Sequence, residues 1–395
     1  MRLIAVASIF VMSVIFVSRV PTGVAVANER GQHIFRFDTF GDEQLWTDVL
    51  RMHEVLAAVT PAAALSLGLK VDSDALTPPV LKALASNQLN LNDPAVTLEL
   101  LKQDAVVGVM AKIAGNTLTS VGITCALCHS TVDDSLAPGV GKRRDGWANG
   151  DLDVGKIVAL SPAVPGALKA EFAKWGPGKY DPRHHVFNGE MPEVINNPSF
   201  PVVLPPVYGL AGVGFETYTG DGPISYWNSY VGVTQMGGQG DFADRRIDVF
   251  VSQKPDLVTP KLPALLAYQL SLTAPRPPSG SFNSAAAARG RAVFAGAGRC
   301  ARCHIPPTYT DVLHGPTQPF LHTPAAVGTE TLYATRSATK MYRTTPLRGL
   351  WQHPPYFHDG SAPTLTDVVN HYEQFFGLGL TALQKADLVE FRKTL

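Results

Sequence analysis

The sequence has no excess charge of either sign. Thirty-three basic residues balance 33 acidic ones over 395 positions, so the whole chain offers no electrostatic hold on nucleic acid or an anionic membrane surface. It lacks low-complexity sequence too: Gly 35 and Pro 31 suffice for long ordered loops but not for a disordered composition. With 45% apolar residues the chain can fill the cores of two or three domains. A second long apolar run is also missing. The single one, Leu3 to Val17, is fifteen uncharged residues behind Arg2, and a helix of that length spans only about 22 Å, short of a bilayer core. Followed by Arg19 and the small residues up to Ala27, it reads as a secretory signal cleaved after Ala27, with an uncleaved N-terminal anchor as the alternative. Either reading places the body outside the cytoplasm, in the periplasm or otherwise exported.

Cysteine is scarce: there are four, Cys125, Cys128, Cys300 and Cys303, and none is left over. They form two copies of one pattern, CALCH and CARCH, the histidines being His129 and His304. A zinc ribbon would place its second pair about 15 to 20 residues after the first, and these pairs lie much further apart. A thioredoxin-like dithiol has no use for the trailing histidine, and plain disulfides would not repeat it. C-x-x-C-H is the attachment signature of c-type haem. Two thiols one turn apart form thioethers with the two vinyl groups of one porphyrin, and the adjacent imidazole reaches the iron. Two covalent haems c are therefore expected, with His129 and His304 as proximal ligands.

The pattern of the chain predicts mainly α structure: two cytochrome c-like helical haem domains with long irregular loops. Residues 28–272 form an N-terminal region carrying the first haem, with helices expected near Leu45 to Ala58, Pro79 to Ser86 and Ala95 to Leu101. From Ser130 to Gly240 the chain is rich in Gly, Pro, Asn and aromatics, the composition of functional loops. A proline-rich linker at 273–281 leads into a second cytochrome c domain at 282–395. There Asn283 or Ser284 caps a helix carrying Gly290 and Phe294, and Thr381 with Gln384 opens the last helix in capping-box register. Gly290 permits the two helices to cross closely. A proline carbonyl in CHIPP is expected to accept the His304 Nδ1 proton. Outside the two haem motifs there is little internal repeat.

Residues 342–372, YRTTPLRGLWQHPPYFHDGSAPTLTDVVNHY, resemble the bacterial di-haem cytochrome c peroxidase and MauG superfamily. The resemblance rests on Thr345-Pro346-Leu347-Arg348, on Phe357-His358-Asp359-Gly360 and on the following helix from Leu365 to Tyr372. It covers the second domain and is much weaker over the first. Fourteen positions after the motif histidine the peroxidases carry a methionine as sixth ligand of the second haem, and MauG a tyrosine. Tyr372 stands there, so the resemblance implies a His/Tyr haem at His304, in which a phenolate favours oxidised iron. Met341, His371 or an open position are the alternatives.

In the first domain, FETYTGDGPISYWNSYVGVTQMGG (215–238) aligns loosely with the peroxidase segment that supplies a bridging aromatic and a catalytic glutamate. The alignment puts Tyr218 in the bridging position and Gln235 in the glutamate's, so the resemblance implies Gln235 and His358 at catalytic positions. A glutamine cannot take a proton from peroxide and return it. Met236 is a candidate sixth ligand of the first haem, with core packing as its plain reading. His184 and His185 are further distal candidates. Trp227 and Trp351 are candidate electron relays, and Lys142, Arg143 and Arg144 candidate partners of haem propionates. Calcium binds between the domains in some members. The asparagine that helps there has no clear counterpart before Pro205, so calcium stays an option and no more.

The expected function is haem-dependent redox chemistry, with electrons from a small cytochrome or copper protein and hydrogen peroxide as the oxidant. The alternatives are a non-catalytic electron carrier and a MauG-like oxidase of a protein or organic substrate.

Overall fold

A computed structural model describes residues 22–183 and 199–395. The chain is mainly α, with five small two-stranded sheets among the described residues. The Leu3–Val17 run of the expected signal lies outside the described residues, and the helix Thr22–Phe37 runs through the expected cleavage point at Ala27. No described helix is long and apolar enough to cross a membrane.

In the N-terminal region the first described helix packs against Leu262–Ser271, the helix that precedes the proline-rich segment. Their contact depends on Gly31, where a Cβ would fall 2.1 Å from the Ala264 carbonyl oxygen. Phe35, Leu265 and Tyr268 are buried along this contact. Helices Pro78–Ala85 and Pro94–Lys102 lie where the apolar spacing predicts them.

The predicted Leu45–Ala58 helix is broken. Gln44–Val49 is a π-helical turn, Arg51 takes a left-handed φ of 55°, and an α-helix restarts at Met52–Leu56. Leu50 and Met52 are both 1% exposed. On a continuous helix, residues two apart point about 200° from one another; the left-handed residue between them turns both into one core.

Val109–Ala114 and Thr117–Ile123 form an antiparallel hairpin around the two-residue loop Gly115-Asn116, with Gly115 at φ 62°. This hairpin was not anticipated from the sequence, although Gly-Asn between half-apolar runs is a hairpin signal. Its second strand ends immediately before the first CxxCH turn. Thr124 anchors the junction, its amide bonding the Gly108 carbonyl at 3.0 Å and its hydroxyl donating to the Arg36 carbonyl at 3.1 Å.

The C-terminal region is built on Ser284–Ala295 crossing Ala382–Arg392. Asn283 caps the first helix through the Ala286 amide, and Thr381 and Gln384 form the expected capping box on the second. At Gly290 a Cβ would lie 1.9 Å from the Asp387 carbonyl oxygen, so only glycine admits this crossing. Phe294 meets Phe391 edge to face at 5.2 Å, and Arg289 forks onto Asp387 at 2.6 and 2.8 Å. A third helix, Leu365–Phe376, opens with a capping box of Thr364 and Asp367 and buries Leu365, Val368 and Val369 in the same core.

Candidate haem sites

The second CxxCH turn begins at Arg299, in the left-handed region at φ 53°, and continues as a tight 3-10 turn over Cys300–Arg302. The His304 amide closes it by bonding the Cys300 carbonyl at 2.9 Å. His304 Nδ1 lies 2.9 Å from the Tyr309 carbonyl oxygen. A carbonyl only accepts, so Nδ1 carries the proton and Nε2 is left with a free lone pair, the tautomer that ligates iron. The acceptor is Tyr309 and not a proline of CHIPP. The chain doubles back after the two prolines and presents the later carbonyl. Burial holds the imidazole down to about 4, so it is neutral at ordinary pH.

Beside this turn is a cavity of about 320 Å³ lined by Cys300, Cys303 and His304 together with Tyr372, Val368 and Phe376 of the third helix. Tyr372 thus shares the cavity with His304. Of the two alternatives, His371 packs its ring against Phe357 and Phe375 and Met341 is 37% exposed, and neither lines the cavity. Arg392 lines it as well: it is 3% exposed, and its Nε and Nη1 have no hydrogen-bond partner among the described residues. An unpaired buried guanidinium is costly unless an anion meets it, and a porphyrin propionate is such an anion.

The first turn, Ala126–His129, is a single helical turn. Cys125 packs on one hydrophobic core and Cys128 on another. The Gly108 backbone abuts it so closely that a Cβ there would come 2.1 Å from the Leu127 nitrogen. His129 Nδ1 donates to the Pro205 carbonyl at 2.9 Å, and burial holds this imidazole down to about 4 as well. Burial also pushes the thiols of Cys125 and Cys128 up to about 12 and that of Cys303 to about 11. Thiols that stay protonated suit neither a zinc thiolate nor a reactive dithiol, and none of the four forms a disulfide. Cys303, Asp311 and His322 bring ligand atoms within 4.8 Å of one another. A thioether at Cys303 leaves only the Asp311–His322 pair at 2.9 Å. Paired thiols, a neutral oriented imidazole and an orphaned cation fit haem c at the second site; the first turn has paired thiols and the same imidazole tautomer, and Cys125, Cys128 and His129 line neither cavity.

Gln235 is 3% exposed, and its amide donates to the carbonyls of Pro182, at 3.0 Å, and Arg183. Its Oε1 has no partner among the described residues. Met236 is buried among Phe40, Val233 and Phe242, with its carbonyl accepting the Trp46 indole N–H at 3.0 Å. Tyr218 lines both the large cavity and a smaller one of about 80 Å³ that touches Pro205, so it stands between the two cavities. Trp227 borders the smaller cavity. Trp351 lies apart from both, donating to the Pro275 carbonyl at 3.1 Å with its ring 6.0 Å from Trp147.

The basic run is placed differently from the expectation. Arg143 is paired with Asp72 at 2.9 Å and Arg144 with Asp133 at 3.2 Å, while Lys142 is exposed. The two arginines answer protein carboxylates, which the sequence leaves distant and unmarked, in place of propionates. Arg343 and Arg348 instead face the smaller cavity. Their charge suits an anion there better than calcium. His184 and His185 lie outside the described residues.

His358 is 6% exposed and lines the large cavity, its Nε2 at 2.5 Å from Glu330 Oε1. The Tyr342 hydroxyl donates to the same oxygen at 2.6 Å. Glu330 and Arg392 carry no signal in the sequence, because neither stands at a spacing that marks it.

Residues 341–374 match the family model described as RoxA-like, cytochrome c-like. No curated protein matches. Among solved structures, a MauG-like protein associated with microbial copper homeostasis is 23% identical over 36% of this chain and 58% of its own, with a TM-score of 0.28. This chain therefore spans less than two thirds of that protein. A Kuenenia stuttgartiensis hydrazine synthase chain is 19% identical over 49% of this chain and 72% of its own, with a TM-score of 0.31. The family match thus lies within the C-terminal region, over the stretch that holds Thr345-Pro346-Leu347-Arg348 and Phe357-His358-Asp359-Gly360.

Proposed function

We propose that this protein is an exported di-haem c-type cytochrome and a peroxidase-like oxidoreductase, taking electrons from a small redox protein at one site and meeting hydrogen peroxide at the other. The observation that carries the reading is the cavity at the second CxxCH turn. There a neutral, oriented His304, the phenol of Tyr372 and the ring of His358, which is hydrogen-bonded in turn to Glu330, line one cavity. A simple electron carrier needs no such pair. Haem c, when bound, supplies one-electron redox chemistry at an iron whose potential its axial ligands set.

The chain's own residues do the rest. His129 and His304 present Nε2 because the Pro205 and Tyr309 carbonyls hold their Nδ1 protons. Tyr218 fills the space between the two cavities with an oxidisable ring. Gln235 holds its place by donating to carbonyls and, as an amide, cannot take a proton from peroxide and return it.

That last feature supports the second reading, a non-catalytic electron carrier with Met236 toward the first iron. Resting spectra with a peroxide and cyanide titration decide between them. A high-spin site that binds cyanide and is consumed by peroxide supports the oxidoreductase; two low-spin sites inert to both sink it. In the same assay Gln235→Glu raises peroxide turnover if the missing acid–base group limits the wild type.

A further inference from the structure

Five aromatic residues, Tyr180, Phe200, Tyr218, Tyr333 and Tyr342, pack into one cluster with Val202 and Ala334. His358 sits within it. Its ring lies 4.6 Å from Tyr342 at 28° and 5.5 Å from Tyr333 at 18°, with Tyr218 edge-on at 6.3 Å. Tyr333 in turn is 6.4 Å from Tyr218 and 6.3 Å from Tyr342. The rings run from the large cavity, which Tyr342 and His358 line, to Tyr180, which packs against the core holding Cys128.

Among the described residues, only one tyrosine of this chain of rings donates its phenol proton to a carboxylate, the bond from Tyr342 to Glu330. Glu330 Oε2 accepts the Leu332 amide at 2.6 Å, so the carboxylate is fixed by the backbone on one side and by His358 and Tyr342 on the other. Burial works to raise its pKa, and the side-chain bonds from His358 and Tyr342 outweigh it and hold the carboxyl below its ordinary value. The Glu330 side chain is 23% exposed and Tyr342 is 6% exposed, so the phenol is shielded while its acceptor reaches solvent.

We propose that Tyr342 is a redox-active tyrosine whose oxidation is coupled to proton transfer to Glu330, with His358 holding the carboxylate in place. The phenol O–H bond breaks. Its proton forms a new O–H bond on Glu330, and one electron passes to a one-electron oxidant generated from peroxide in the adjoining cavity. A neutral tyrosyl radical and a neutral carboxyl remain, and the oxidant is reduced by one electron. Tyr333 and Tyr218 then offer the radical neighbouring rings toward the first site. An amide oxygen at 330 could accept the Tyr342 bond but not the proton.

The source of the oxidant rests on the proposed function, so the test uses two oxidants on the holoprotein. A flash-generated tris(bipyridine)ruthenium oxidant needs neither peroxide nor an open iron. With it, the wild type is expected to give a tyrosyl radical in electron paramagnetic resonance, and Tyr342→Phe to lose that signal while keeping its thermal melt. Glu330→Gln keeps one oxygen to accept the Tyr342 bond, gives up the Leu332 amide bond, and is expected to form the radical about a hundredfold more slowly, with a changed solvent deuterium effect. An undiminished signal in Tyr342→Phe, or an unchanged rate in Glu330→Gln, overturns the proposal. With peroxide as the second oxidant, the same radical supports both readings. A radical by flash and none by peroxide leaves the tyrosine site standing and removes the peroxide reading alone.

Discussion

The two CxxCH turns are nearly the same five letters in opposite surroundings. His304 finds its carbonyl five residues away in Tyr309, inside a three-helix unit with a single core. His129 finds its carbonyl 76 residues away in Pro205, and its two cysteines face two separate cores. The second site is assembled locally, the first by long-range closure of hairpin, loop and helix. Long-range closure costs more chain entropy before its contacts form, so the first site should depend more on the covalent link that joins its cores.

The largest expected effect breaks or keeps the equivalence of the two turns. Replacing Cys125 and Cys128 together by serine, or Cys300 and Cys303 together, should each lower the intact mass by one porphyrin. The first pair should also depress the melting temperature more, since its thiols lie between two cores. A mass that drops in one variant only would show a single haem and end the comparison.

Next in size is the helix crossing. Gly290→Ala puts a methyl against the Asp387 carbonyl, where the gap is 1.9 Å, and should cost about 3 kcal/mol in thermal or denaturant unfolding. Gly31→Ala meets the Ala264 carbonyl at 2.1 Å and should cost a similar amount in the other region. If the regions melt separately, each variant moves its own transition. A shift of both by either variant would show that they unfold as one.

This contrast also explains what was legible. The Asn283 cap, the Thr381–Gln384 box and the close approach at Gly290 are written in spacings of three to a hundred residues on regular helices, and the structure has them all. Tyr372 was legible only through resemblance, at a fixed offset from His358. Tyr309 displaced the proline expected as acceptor because a turn, and not the nearest carbonyl, decides which oxygen meets Nδ1. Arg51 broke a helix that periodicity supported, since apolar spacing does not reveal a left-handed residue. Glu330, Arg392 and the Arg143–Asp72 pair had no local signature at all. Their meaning comes from burial and from partners brought near only by the fold.

A smaller effect lies at the junction, where His353 lines both cavities and burial holds its imidazole down to about 4. The folded state keeps this group neutral while the unfolded chain takes up a proton below about 6.5. Its contribution is therefore intact above that pH and is lost as pH falls toward 4, with a slope of about 1.4 kcal/mol per pH unit at most. His353→Gln should flatten the stability profile by that amount between those limits in denaturant titrations, and an unchanged slope would assign the acid sensitivity to other groups.

The finest distinction between the sites is electrostatic. Arg392 places on the cavity of the second turn a buried guanidinium that no carboxylate among the described residues pairs, and the residues packed around the first turn bring arginines that are already neutralised, Arg143 by Asp72 and Arg36 by Asp145. A cation near an iron centre disfavours its oxidised, more positive state, and low dielectric strengthens the effect. Arg392→Met keeps the bulk of the buried stem and removes the charge. It should lower the midpoint potential of the second haem in a spectroelectrochemical titration and leave the first where it was. A potential that does not move would mean that the guanidinium is fully neutralised by a propionate, in which case the variant should instead loosen that porphyrin edge and shift its propionate vibrations in resonance Raman spectra.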